Sequence, residues 1–173
     1  MSPVRTAHTE TADGEEGFMR SVPTHTDAPE SAHDVIVLGV TASDAHAVAN
    51  QLIAHGLRAQ GYTVINLGVC TPVAEFALAV RENPGVLAVV VGSLNGHAYE
   101  DLCDLPAARA AGDLACPVIL GGNLSVGSRK DPGALDRLRR LGVDHLLSEL
   151  SDLAPLLREL ARQAARSRQL QTI

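Results

Sequence analysis

The sequence predicts a doubly wound α/β fold: a single domain built on a five-stranded parallel sheet with helices on both faces. Three observations carry that prediction. Short apolar runs rich in β-branched residues recur from Asp34 onward without polar alternation, as strands covered on both faces require. Helix start and stop signals fall between those runs, so strand and helix alternate along the chain. Finally, 173 residues with 46 % hydrophobic content can build one sizeable core without disulfide or metal staples. The same length falls short of the roughly 250 residues of a (β/α)8 barrel.

Taken in order, the first 33 residues differ in kind from the rest. Six acids (Glu10, Asp13, Glu15, Glu16, Asp27 and Glu30) face two arginines there, among Pro3, Pro23 and Pro29. Such a segment cannot bury enough apolar surface to offset its ordering entropy, so residues 1–33 are expected to form a disordered leader and residues 34–173 the folded domain. His8, His25 and His33 lack regular spacing and read as part of a solvated leader. The expected strands are Asp34–Val40 (DVIVLGV), Thr63–Leu67 (TVINL), Val86–Val91 (VLAVVV), Pro117–Leu120 (PVIL) and His145–Leu147 (HLL). Gly61 and Gly142 stand where helices should stop. Thr71-Pro72 and Asp131-Pro132 each read as an N-cap followed by proline in the first helical position, and Pro106 interrupts the helix after the third strand. The last helix sets Leu153, Leu156, Leu157, Leu160 and Ala164 against Arg158, Arg162 and Arg166, a buried face opposite a solvated one. No internal repeat is present.

Composition excludes several functions. Tryptophan is absent, and Phe18, Phe76, Tyr62 and Tyr99 are the only aromatics, which argues against stacking platforms for single strands and against a flavin clamp. Twenty acids against 14 bases, a net charge of −6, argue against a nucleic-acid footprint. Cys70, Cys103 and Cys116 are odd in number and share no C-x-x-C spacing, so they read as reduced thiols of a cytoplasmic protein. No apolar run reaches the length of a membrane span, and no signal-peptide core opens the chain. No G-x-G-x-x-G follows a strand, and no Gly-x-Ser-x-Gly elbow or pair of catalytic carboxylates is found.

In a doubly wound sheet, ligands bind beyond the carboxyl ends of the strands, where strand order reverses. The segments expected there run from Thr41 to Ala49 (TASDAHAVA), from Gly92 to Gly96 (GSLNG) and from Gly121 to Gly127 (GGNLSVG). Small side chains dominate all three and leave a crevice. Within it, Asp44 and His46 lie two apart, so in an extended loop both side chains point the same way. A carboxylate bonded to one ring nitrogen fixes the tautomer and leaves the other as a Lewis base. One imidazole cannot hold a bare divalent ion, and His55 falls inside the following helix. A single histidine suits a metal whose other sites are filled, as in a haem or a corrinoid. D-x-H alone favours a plainer reading, with Asp44 an N-cap and His46 a polar residue of the first helical turn. Likewise Gly121-Gly122 alone describes a strand-to-loop turn, and Thr41 with Ser43 a phosphate loop without aromatic ring partners.

The same residues resemble a known family. Val35–Val48 (VIVLGVTASDAHAV), with Gly92-Ser93-Leu94 and Leu120–Gly127 (LGGNLSVG), looks like the small cobalamin-binding (sigma) subunit of glutamate mutase, or methylaspartate mutase. The resemblance runs from about Asp34 to Leu160 and includes the broader B12-binding pattern D-x-H-x-x-G…S-x-L…G-G. It implies a Rossmann-like, flavodoxin-like domain that carries adenosylcobalamin and is not catalytic alone. By resemblance, His46 is the lower axial ligand of cobalt and Asp44 its hydrogen-bond partner, with Ser43, Ala45 and Ala47 beside them at the cofactor. Gly92, Ser93, Leu94, Gly121 and Gly122 would line the slot for the nucleotide tail, and Asn123, Leu124, Ser125, Val126 and Gly127 would contact its nucleotide end. The implied partner is a separate large barrel-type subunit, and the implied reaction is the radical interconversion of L-glutamate and threo-3-methyl-L-aspartate. Two positions depart from the pattern: Ala49 replaces its glycine, and Gly92 replaces the first serine of S-x-L, leaving Ser93 to offer a hydroxyl. A corrinoid carrier for methyl transfer and a degenerate paralogue acting as an interaction scaffold are the competing readings.

Overall fold

The computed structural model describes residues 34–124 and 133–171. Its strands are β1 (Val35–Thr41), β2 (Thr63–Thr71), β3 (Val86–Ser93), β4 (Val118–Gly122) and β5 (His145–Leu147). Between and after them run α1 (Ala47–Ala59), α2 (Val73–Glu82), α3 (Ala98–Asp101), α4 (Leu105–Ala110), α5 (Ala134–Arg140) and α6 (Leu153–Gln171), the last entered through a 3₁₀ turn at Leu150–Asp152. The sheet order is β2-β1-β3-β4-β5, and every pairing is parallel. Strand order therefore reverses between β1 and β3, which places the crevice beyond Thr41 and Ser93.

The apolar runs lack alternation because both faces of the sheet are covered. Val37, Val89, Val91, Val118 and Leu120 pack with Val73 and Phe76 of α2, Leu105 of α4 and Leu138 of α5. On the other face, Ile36, Leu38, Val90 and Ile119 meet Ala54 and Leu57 of α1 and Leu153, Leu157 and Leu160 of α6. Gly39 permits the closest approach, since a Cβ there would stand 2.7 Å from the Phe76 ring. Arg109 knits the lower edge: it donates to the carbonyls of Gly142 (2.8 Å) and Leu114 (3.0 Å) and pairs with Asp144.

Helices α1 and α5 stop at the expected glycines. Gly61 donates to Arg58 O and Tyr62 to Leu57 O, while Gly142 donates to Arg139 O and Val143 to Leu138 O; both are Schellman closures. Pro106 does divide the segment after β3 into α3 and α4. The face predicted for α6 holds in the main, with Leu153, Leu157 and Leu160 buried and Arg162 and Arg166 exposed, but Leu156, Ala164 and Arg158 all lie half-buried at its borders.

The strand bounds and one cap need correction. Strand β2 runs four residues past Leu67, because its pairing with β1 survives two register shifts and reaches Thr41 opposite Thr71. Thr71 is thus a strand residue with a buried, unpartnered hydroxyl, and Pro72, in extended conformation, is itself the N-cap of α2. The leader, the Asp131-Pro132 cap, and Ser125, Val126 and Gly127 lie outside the described residues. Among the described residues no helix is long and apolar enough to cross a membrane.

Candidate functional site

The chain leaves β1 through a turn in which Asp44 N–H donates to Thr41 O (3.0 Å). That turn drives the Asp44 side chain inward, where it is 1 % exposed. A carboxylate at such depth must find donors, and it has four. Oδ1 accepts from His46 N (3.0 Å) and faces His46 Nδ1 at 2.5 Å, while Oδ2 accepts from the N–H groups of Leu94 (2.5 Å) and Asn95 (3.1 Å). Burial raises the carboxyl pKa, but the Leu94 N–H, the His46 ring and the N–H groups of His46 and Asn95 together hold it below its ordinary value of 3.8. The group is an anion at neutral pH. An anion facing Nδ1 keeps the ring proton there, which leaves the Nε2 lone pair free. The imidazole is 59 % exposed and so available to a ligand.

The plainer reading of D-x-H therefore fails on one point. Helix α1 begins at Ala47, and its N-cap is His46, without a side-chain cap bond. Asp44 instead joins the β1 loop to the β3 loop. Cys70 fastens the same loop from the β2 side: its N–H donates to Asp44 O (3.0 Å), and it is the one described non-glycine residue at positive φ (56°).

Beside His46, a groove of about 220 Å³ lies between α1 and the start of α6, over the ends of β1, β3 and β4. Its floor is Leu38, Val40 and Val90; its walls include Ala49, Asn50 and Ile53 on one side and Leu147 to Leu150 with Leu153 on the other. Gly92 and Gly121 open it. A Cβ at Gly92 would meet only Val40 Cγ2 (3.6 Å) and Gly39 O (3.8 Å), and one at Gly121 only Leu147 (3.5 Å). Neither glycine is demanded by packing, and their missing side chains enlarge the groove. Gly122 is different: at φ +119° a Cβ would fall 2.1 Å from Ser93 O, so only glycine fits. Asn50 is 2 % exposed and its Oδ1 has no partner.

Of the residues picked from sequence, His46, Gly92, Ser93, Leu94, Gly121 and Gly122 border the groove, with Asp44 directly behind His46. Ser93, however, is wholly buried with Oγ 3.4 Å from Asn95 Oδ1, so its hydroxyl is not offered in place of the one Gly92 lacks. Ser43 turns to Asp101 instead, with Oγ donating to Oδ2 at 2.7 Å. Ala45 and Ala47 are exposed at the entry to α1, and neither lines the groove. Asn123 is exposed, and Leu124 packs on the α2 side of the sheet, because the chain leaving Gly122 turns away from the groove. The sequence reading missed Asn50, Ile53 and the β5 segment. Helical spacing could have found the first two, since His46, Ala49, Asn50 and Ile53 fall at i, i+3, i+4 and i+7. Among the described residues no three His, Cys, Asp or Glu side chains are grouped to hold a metal ion.

Fold and site together define a doubly wound α/β binding domain with one carboxylate-oriented imidazole at the mouth of an apolar groove. No family model matches the chain. Among curated proteins it is 41 % identical over 113 residues to the glutamate mutase sigma subunit of Halobacterium salinarum, covering 65 % of this chain and 75 % of that one. It is 36 % identical to sigma subunit 1 of Haloarcula marismortui (68 % and 77 % covered) and 34 % to the sigma subunit of Clostridium tetanomorphum (64 % and 81 %). The chain belongs to the glutamate mutase sigma subunit family. Among solved structures it resembles a cobalamin-binding protein from Desulfitobacterium hafniense (TM-score 0.53, 22 % identity) and the monomethylamine corrinoid protein of Methanosarcina barkeri (0.57, 16 %). Each alignment covers 78 % of this chain, which spans only 58 % and 61 % of those two; at such identity the likeness is one of fold.

Proposed function

We propose that this chain is the cobalamin-carrying component of a glutamate mutase, with His46 as the lower axial ligand of cobalt in adenosylcobalamin. The observation that carries the reading is the Asp44–His46 pair: a buried anion holds the proton on Nδ1 and leaves Nε2 as the donor atom. A single imidazole suits cobalt already held by a corrin ring. The groove fits as well, since Gly92 and Gly121 leave open a space that side chains could fill without clash. Its apolar walls and the unpartnered Asn50 Oδ1 suit an elongated group with apolar and polar parts. Family membership supports the same assignment.

In this reading the chain supplies binding and orientation. Adenosylcobalamin, when bound, supplies the carbon-centred radical for the rearrangement of glutamate to 3-methylaspartate. His46 presents Nε2 to cobalt, and Asp44 fixes its tautomer and ring plane. Gly92, Gly121 and Ala49 border the slot for the nucleotide tail, and Gly122 keeps β4 against Ser93 at its mouth. The relatives are named as sigma subunits, so a second subunit is expected to bind the amino acid; we assign it a barrel large enough to enclose the substrate. Cys70, Cys103 and Cys116 are free, which supports a reducing, cytoplasmic setting.

Two measurements test the proposal. Mixed with cobalamin, the chain should give a base-off, histidine-on absorption spectrum, and His46→Ala should abolish it. Turnover of glutamate should require both adenosylcobalamin and a cognate large subunit. A spectrum unchanged by His46→Ala would remove the ligand assignment, and turnover by this chain alone would remove the division of labour.

A further inference from the structure

We propose that Asp101, at the end of α3 and 55 residues beyond His46, is a positioning residue for the His46 loop. It acts through Ser43 and Asn95. Ser43 N–H (3.2 Å) and Ser43 Oγ–H (2.7 Å) both donate to the same Asp101 oxygen, Oδ2. With its proton committed there, the Ser43 hydroxyl can only accept on its other side, and it accepts from Asn95 Nδ2 (2.8 Å), which also donates to Ser43 O (3.0 Å). The Asn95 amide is held at its other end too, where Oδ1 accepts from His97 N (3.0 Å). Asn95 N–H in turn donates to Asp44 Oδ2 (3.1 Å), and Asp44 holds His46. These polar bonds thus tie the end of α3 and the β3 loop to the β1 loop at Ser43 and Asp44, just ahead of His46.

The network belongs to the site and not to the core. Ser43 is exposed and Asp101 half-buried, while the neighbouring Ala98 and Leu102 anchor this segment in the core. Bonds between exposed polar groups contribute little to stability. What these bonds do is remove rotational freedom from Ser43 and Asn95, the residues adjoining Asp44 in sequence and in space. Without Asp101 the Ser43 hydroxyl can turn and donate elsewhere, Asn95 loses a fixed acceptor, and the ring plane of His46 is less well defined. The inference rests on the reading of His46 as the cobalt ligand, and it concerns how that ligand is aimed.

The test uses the full chain with Asp101→Ala, Asp101→Asn and Ser43→Ala. In the cobalamin-free protein, the ¹⁵N shifts of the His46 ring report its tautomer and hydrogen bonding; titration with hydroxocobalamin reports histidine-on binding. Asp101→Ala should move the ring shifts toward those of a free imidazole. It should also weaken binding about three- to tenfold, less than the roughly 10–100-fold expected of a direct partner of a ligating histidine. Asp101→Asn keeps an oxygen where both Ser43 donors point, so it should restore the shifts and bring affinity within about twofold of the parent. Unchanged shifts and affinity in Asp101→Ala would overturn the proposal, as would failure of Asp101→Asn to rescue. If Asp101→Ala does not fold, Ser43→Ala removes the shorter Ser43–Asp101 bond and the hydroxyl that accepts from Asn95 while keeping the backbone N–H bond, and it must move the ring shifts in the same direction; unchanged shifts would then overturn the proposal. Should the parent fail to bind hydroxocobalamin, the cobalt reading falls; the cobalamin-free shifts still decide whether Asp101 aims the ring.

Discussion

Replacing Asp44 with asparagine puts the central pair under direct test. Asparagine matches aspartate in shape but has one acceptor oxygen and one NH₂ where Asp44 has two acceptors. Four donors converge on this side chain, two on each oxygen. With the NH₂ toward Leu94 and Asn95, the two part-buried backbone N–H groups aimed at this buried side chain face another donor. Each unsatisfied buried donor costs about 1–3 kcal/mol, so a loss on the order of 2–4 kcal/mol follows, reduced to the extent that water enters. For a domain of this size that corresponds to a melting temperature lower by roughly 5–15 °C. With the NH₂ toward His46, the ring must accept at Nδ1, the proton moves to Nε2, and the nitrogen proposed to bind cobalt loses its lone pair. Either orientation weakens histidine-on binding, by about 10–100-fold. Thermal denaturation gives the first figure, and absorption titration with cobalamin the second. An Asp44→Asn variant that melts with the parent and binds within twofold of it would refute the reasoning, because no orientation of the amide satisfies all four donors.

Three further outcomes are expected. The Asp44 carboxyl is held below its ordinary value of 3.8, so its contribution is fully present above that pH and is lost as pH falls through the lowered folded value; acid titration of stability should be shallower in Asp44→Asn over that window. Gly39→Ala should destabilise by about 1–3 kcal/mol, because its Cβ would stand 2.7 Å from the buried Phe76 ring, and Phe76→Leu should relieve much of the loss in a double-mutant cycle; an additive pair would place the strain elsewhere. Gly92→Ser should fold normally, since the nearest atom to its Cβ is 3.6 Å away, and should tighten cobalamin binding if its hydroxyl meets a partner, by about 0.5–1.5 kcal/mol; circular dichroism followed by titration decides between a gain and no effect.

Much of the architecture was legible because burial on both faces of a parallel sheet leaves a mark in composition. Ile36 to Leu38 and Val89 to Val91 alternate between two cores, and both cores demand apolar side chains. Helix ends were legible where backbone geometry restricts residue choice, as at Gly61 and Gly142. Thr71-Pro72 misled because its local preference for a cap lost to a tertiary one. Pairing with β1 carries the strand to Thr71, and proline in an extended conformation serves as the cap itself. At the site, the pairing of Asp44 with His46 was legible because residues two apart can share a side of an extended loop, a constraint local in sequence; that spacing alone still favoured the plainer N-cap reading, and the family resemblance carried the ligand assignment. Asp101 was not found, and the reason is physical. Its contact with Ser43 spans 58 residues, and nothing in either neighbourhood marks an aspartate at the end of a four-residue helix. The long-range part of the site consists of hydrogen bonds that any polar residue could in principle supply. What selects the particular residues is the switch point, where α3 and the β1 loop are brought against each other.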